Sequence, residues 1–172
     1  DVVYDDEVLE GLLPTYDWLH LHHEDFTGQY GKFWARYRSF PWYQEDVKQQ
    51  EATAARFGFK KVSQLKLAVA QKIREFVAGG GYMFAMCSAT DSYDVALAAE
   101  GLDICDVMFD GDGIRPGDPE RLNYDNCFAF TDFKVSVNPT EYEISDIDVT
   151  NYRSKSINER NDFFTLFEFS AK

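Results

Sequence analysis

Gly79-Gly80-Gly81-Tyr82-Met83-Phe84-Ala85-Met86-Cys87-Ser88-Ala89-Thr90-Asp91 is the stretch that decides the fold. The glycines stop a helix, residues 82–86 form a short apolar strand, and a sharp turn carrying Cys87 leads into a new helix start. A cysteine between a strand end and a helix N-terminus meets free backbone N–H groups and the positive end of the helix dipole, which is where proteins place nucleophilic thiols.

Upstream, Leu65, Val69, Ile73, Phe76 and Val77 recur at helical spacing behind Ser63, an expected N-cap. Before that helix, residues 16–22 read as a strand with Trp18, His20 and His22 on one face and Leu19 and Leu21 on the other. Apolar residues on both faces at its start predict a parallel strand covered by helices on both sides. Strand, crossover helix and strand then form a βαβ-type unit. Its parallel strands would bring His22, His23, Glu24 and Asp25 to the same sheet rim as Cys87.

Residues 26–60 interrupt that unit as an insertion rich in aromatics, among them Tyr30, Phe33, Trp34, Tyr37, Trp42 and Tyr43. The spacing of Tyr30, Phe33, Trp34 and Tyr37 fits one helical face, as a lobe packing on its own core or as an aromatic platform for a ligand. Further helices are expected over 5–13 and 45–57, the second closed by Gly58.

Downstream of the quoted stretch, Asp91 is placed to cap a helix that Gly101 ends. Residues 102–109 read as another buried strand and 110–119 as a loop. Segments 127–137, 141–149 and 163–169 have a β pattern, making 120–172 a β-rich extension. The expected fold class is therefore α/β: a flavodoxin-like, mainly parallel sheet with helices on both faces, an aromatic helical insertion and a β-rich C-terminal part.

A chain of 172 residues with 45% hydrophobic content supports one core and a single domain over 1–172. It begins without methionine and stops just after a strand-like run, the expected pattern of a piece of a longer protein. A net charge of -13 argues against nucleic acid or an anionic membrane as partner. No apolar run reaches the roughly 18 to 20 residues of a membrane span, so the chain is not expected to be transmembrane. The three cysteines, Cys87, Cys105 and Cys127, make neither a dense disulfide framework nor a CxxC zinc pair.

Three constellations could carry chemistry. In the first, Cys87 is the nucleophile, the Ser88 backbone N–H is the oxyanion donor, and His22 or His23 with Glu24 are the polar partners. Asp25, Asp91 and Trp34 are the accompanying substrate contacts. In the second, His22, His23, Glu24 and Asp25 offer metal-ligand types. Neighbouring strand residues point to opposite faces, however, so a hydrogen-bonded structural role is preferred. In the third, the Asp110, Asp112 and Asp118 loop has Arg121 where a calcium loop starting at Asp110 needs glutamate, and it reads as a solvated acidic turn. No metal and no cofactor is expected.

Residues 16–25 and 67–101 resemble the class I glutamine amidotransferase-like superfamily, particularly its ThuA-like branch, through the Tyr16-Asp17-Trp18-Leu19 strand and the glycine-led strand into the Cys87 elbow. More closely, residues 20–33 and 84–92 resemble a group of bacterial proteins catalogued as asparagine synthetase B, a likeness covering nearly the whole chain. The resemblance implies a flavodoxin-like sheet, with the elbow cysteine at Cys87. Two departures stand out: Ser88-Ala89 follow the cysteine where the superfamily has a small residue and glycine, and no histidine follows Cys87. The resemblance further implies export to the periplasm or cell envelope. The function expected is a hydrolase or amide-transfer site around Cys87. The alternative is a non-catalytic module binding a small molecule or carbohydrate, or an exported component of a protein assembly.

Overall fold

The computed structural model describes residues 1–148. They form a mixed helix and strand structure around a two-stranded parallel sheet. In chain order the elements are α1 (Asp5–Leu9), β1 (Trp18–His22), α2 (Trp34–Tyr37), α3 (Pro41–Arg56), α4 (Val62–Ala78), β2 (Tyr82–Met86), α5 (Ser88–Ala98) and α6 (Val107–Asp110), with short 3-10 turns between some of them. Among the described residues no helix is long and apolar enough to cross a membrane.

β1 and β2 pair directly, in a register running from Trp18↔Tyr82 to His22↔Met86. The glycine triplet makes this pairing possible. Gly79 caps α4, Gly80 takes φ 104°, and a Cβ on Gly81 would stand 2.2 Å from the Phe76 ring. The chain thus leaves α4 and enters β2 through a space only glycine fits.

One sheet face is covered. Leu21 is buried, and Leu19, Met83 and Ala85 pack against a core built with Val69, Ile73 and Phe76 of α4 and Tyr93 and Leu97 of α5. The opposite face carries exposed Trp18, Tyr82, Phe84 and Met86. The expectation of helices on both faces is not met among the described residues, because α4 and α5 both pack on the Leu21 side.

α5 is the most enclosed element, with residues 91–98 all buried. It begins at Ser88, three residues before the cap expected at Asp91, because Cys87 itself makes the helix-starting turn. Likewise α4 begins at Val62, with Lys61 and not Ser63 at its cap. The aromatic stretch 30–37 is broken by left-handed φ angles at Tyr30, Gly31 and Lys32 into a 3-10 turn and the short α2. Tyr30 of this stretch and Tyr43 of α3 share a core with Leu65 of α4 and with Cys105 and Phe109.

Residues 102–109 are not a strand. The Asp103 amide donates to Asp118 Oδ2 at 2.8 Å and the Cys105 amide to Asp103 Oδ1 at 3.2 Å, so donors that a ladder would use are taken by aspartates. Asp106 then caps α6 by accepting from the Met108 amide. The strands expected over 127–137 and 141–149 reduce to one antiparallel bridge, Val135↔Ser145, among the described residues. Here too a carboxylate replaces a neighbouring strand. Buried Asp94 accepts from the amides of Phe128, Ala129 and Phe130 at 2.8, 2.8 and 2.9 Å. The segment expected over 163–169 lies outside the described residues.

Asp94 is 1% exposed, and its side chain holds three backbone donors. Asp94→Asn presents an NH2 group to one or more of them and removes the charge. The expected loss is about 2–4 kcal/mol in urea unfolding, with the slope unchanged. A loss below about 0.5 kcal/mol, the range of neutral surface changes, would contradict this role.

Candidate functional site

The register His22↔Met86 leaves His23 and Cys87 as the next residues of the two chains beyond the C-terminal end of the strand pair. Both turn with left-handed backbone, His23 at φ 67° and Cys87 at φ 57°, ψ −140°. A non-glycine residue in that region costs on the order of 1–3 kcal/mol, and such residues concentrate at functional sites. Cys87 is exposed and immediately precedes the 11-residue α5, whose first amides have no intrahelical acceptor. The Cys87 carbonyl accepts from the Thr90 amide at 3.0 Å, which closes the first turn of that helix.

The histidines form a row along this edge. The His22 and His23 rings lie 3.9 Å apart between centroids, and the His20 ring lies 5.4 Å from that of Phe84 of β2, tilted by 56°. Glu24 is half-buried. Burial lifts its carboxyl above the ordinary glutamate range, and Oε2 has no hydrogen-bond partner among the described residues. Behind it, the Ser92 hydroxyl donates to the Glu24 carbonyl at 2.9 Å and accepts from the Phe26 amide at 3.4 Å. That hydroxyl fastens the loop after β1 to α5. Sequence reading missed Ser92, which stands among Thr90, Asp91 and Asp94 in the polar first half of α5 and so carries no distinguishing signal.

Asp25 and Asp91 are committed within the protein. Asp25 accepts from the Thr27 amide and hydroxyl at 2.7 and 2.6 Å and from the Gly31 amide at 2.8 Å, shaping the loop beyond the rim. Asp91 accepts from the Ser145 hydroxyl at 3.0 Å. Ser88 opens α5 beside Cys87. Trp34 stands elsewhere, in a cavity of about 480 Å³ that it lines with Tyr30, Tyr43 and Met108 and to which no rim residue contributes. Cys87, Ser88, His22, His23 and Glu24 therefore all lie at or just beyond the C-terminal ends of β1 and β2.

The other two thiols are occupied. Cys105 Sγ donates to the Thr27 carbonyl at 3.3 Å, and burial pushes that thiol well up. Cys127 Sγ donates to the Asp94 carbonyl at 3.5 Å, and burial pushes it to about 11. In the acidic loop, Asp103, Asp110 and Asp112 bring oxygens within 4.8 Å of one another. The Lys61 ammonium stands among them, 3.1 Å from Asp103 Oδ2, 2.9 Å from Asp110 Oδ2 and paired with Asp112. Burial draws that ammonium down, but its bonds to Asp112, Asp110 and Asp103 outweigh burial and hold it above its ordinary value. The cluster carries its own cation. Asp118 belongs to a separate buried arrangement with the Asp103 amide and Arg121.

Burial, more than its proximity to Asp148, raises the Asp91 carboxyl from the ordinary 3.8 to about 6. The folded state thus binds this proton more tightly than the unfolded chain, so stability falls as pH rises through that interval, by about 3 kcal/mol for this group. Asp91→Asn removes the titration. The stability difference between wild type and variant in urea is expected to shift by about 3 kcal/mol against the wild type from about pH 4 to about pH 7. Parallel pH profiles would show that Asp91 does not titrate in this way.

Comparison with protein-family models, with curated proteins and with solved structures finds no match for this chain.

Proposed function

We propose that the rim around Cys87 is the active centre of a thiol-dependent hydrolase or amide-transfer enzyme of the amidotransferase-like kind. On this reading, β1, β2, α4 and α5 are part of a flavodoxin-like arrangement. What supports it is the backbone of Cys87: an exposed thiol on a left-handed turn, at the C-terminal end of a parallel strand and directly before a helix.

In such a site the Cys87 thiol gives its proton to the His22–His23 pair and its sulfur attacks the carbonyl carbon of an amide, forming the S–C bond while the carbonyl π electrons move onto oxygen. The amides at the start of α5, Ser88 first, face that oxyanion. Collapse breaks the C–N bond, and the departing amine takes a proton from the His22–His23 pair. Water, or an acceptor amine in a transfer reaction, then attacks the thioester, releases the acyl group and returns the proton to Cys87. Glu24, a carboxyl lifted by burial beside these histidines, is the positioning group.

The test uses an activated ester such as p-nitrophenyl acetate, with mass spectrometry of the protein. The expected result is a burst of one acyl group per chain on Cys87, absent from Cys87→Ala. Turnover should fall at least about tenfold when His22 and His23 are both replaced by alanine. Acylation of Cys87 no faster than of the same cysteine in unfolded protein would overturn the reading.

A further inference from the structure

The outward face of the strand pair carries more than apolar side chains. Strand period puts Trp18, His20 and His22 on it from β1, and the register sets Tyr82, Phe84 and Met86 beside them from β2. Unlike the neighbours His22 and His23, His20 and His22 are two residues apart and share a face by that period. Met86 is the registered partner of His22, on a strand about 4.8 Å away, so its thioether and the two imidazoles leave the sheet on one side. All three residues are exposed, which gives an ion an open path to them. Neither the His20 nor the His22 ring has a hydrogen-bond partner among the described residues, so their nitrogens are available.

Spacing and ligand type together select the ion. The His20 and His22 ring centroids are 6.3 Å apart, with the planes inclined by 36°. An ion bonded to one nitrogen of each ring at about 2 Å holds the centroids roughly 6 Å apart when the two bonds are nearly opposed, and roughly 5 Å apart when they meet at a tetrahedral angle. The observed distance fits the wide angle of an ion with few ligands, and is too long for tetrahedral zinc. A thioether is soft and uncharged, which favours copper(I) over zinc and over the hard cations that take oxygen. The Phe84 ring, 5.4 Å from that of His20, flanks the pair and presents an aromatic surface to a cation held there.

We infer that His20, His22 and Met86 form a copper(I) site on the open sheet face. It uses no chemistry of Cys87 and so stands apart from the reading of the rim, although copper and the rim would compete for His22. The test is made in Cys87→Ser, which removes the exposed thiol as a rival soft ligand. Loaded with copper under ascorbate and desalted, this chain is expected to retain about one copper ion, counted by elemental analysis. In competition with bicinchoninate, His20→Gln and His22→Gln should each weaken copper binding at least about tenfold, and His23→Gln less than about twofold. These side chains face solvent, so the core on the other side of the sheet is untouched. X-ray absorption should show one sulfur ligand, which Met86→Leu removes. No copper retained, binding untouched by His20→Gln and His22→Gln, a larger loss from His23→Gln than from His20→Gln, or a sulfur ligand that is absent or survives Met86→Leu would overturn the inference. Acylation of Cys87 is measured on wild type without copper, so failure of either reading is distinguished from failure of the other.

Discussion

The irregular half of the chain depends on buried carboxylates that accept backbone N–H groups. A loop that leaves water must pair its amide donors, and away from a sheet the partners must come from side chains. Asp25, Asp94 and Asp118, exposed by 8%, 1% and 1%, meet this need in three places. Asp25 and Asp94 each accept several backbone amides, and Asp118 accepts one together with the Arg121 guanidinium, so the charge-assisted bonds offset the cost of taking a carboxylate out of water. In this way residues beyond 101 are fixed against α5 with one isolated bridge for β structure among the described residues. The chain's acidity is thus partly internal, and its surface is less negative than its composition implies.

The same economy explains the rigidity of the rim. Two five-residue strands alone are a weak sheet. Here their inner face rests on α4 and α5, and the loops that leave them are fastened to α5: Ser92 holds the carbonyl of Glu24 and the amide of Phe26, while Cys87 is continuous with the helix. Left-handed turns at both strand ends persist because this buried helix anchors the chain just beyond each of them. Strain at His23 and Cys87 is therefore supported by the packing of α5, not by contacts at the rim itself.

Legibility in the sequence tracks the range of the interactions. The α4 stripe, the glycine stop, the strand at 82–86 and the elbow at Cys87 are local patterns, and they stand in the structure within a few residues of where periodicity and punctuation place them. Residues 102–109 misled because Leu102, Ile104, Val107 and Phe109 are apolar and the intervening aspartates look like an exposed alternate face. What decides their backbone is Asp118, 15 residues beyond the Asp103 amide it accepts from. Phe128 and Phe130 misled for the same reason, their amides being bound by Asp94 more than 30 residues earlier. A buried aspartate has no sequence signature that separates it from a surface one. Trp34 shows the complementary limit: its aromatic setting was legible, but its distance from the cysteine depended on how three left-handed residues turned the insertion.

Lys32 links these parts through charge. Its ammonium is buried and donates to the carbonyls of Ser136 and Glu143 at 2.6 and 2.8 Å, holding the C-terminal arm to the loop that Asp25 shapes. Burial draws it down to about 8, although Glu141 first, then Asp25, Glu143 and Asp91, pull it upward. Asp91 loses its proton near 6, so both groups are charged between about 6 and about 8. Below that window the carboxyl is neutral, and above it the amine is neutral. Each neutral form suits its buried site better than the ion, since burial is the leading influence on both. Stability from Asp91 is lost as pH rises to 6, and stability from Lys32 returns only as pH rises beyond 8 toward its unfolded value. At neutral pH the fold therefore carries both ions at once, the Lys32 ammonium held by the Ser136 and Glu143 carbonyls and the Asp91 carboxylate by the Ser145 hydroxyl. Separating the arm would leave both buried ions without these partners, which couples its seating to the loop that Asp25 shapes and to α5.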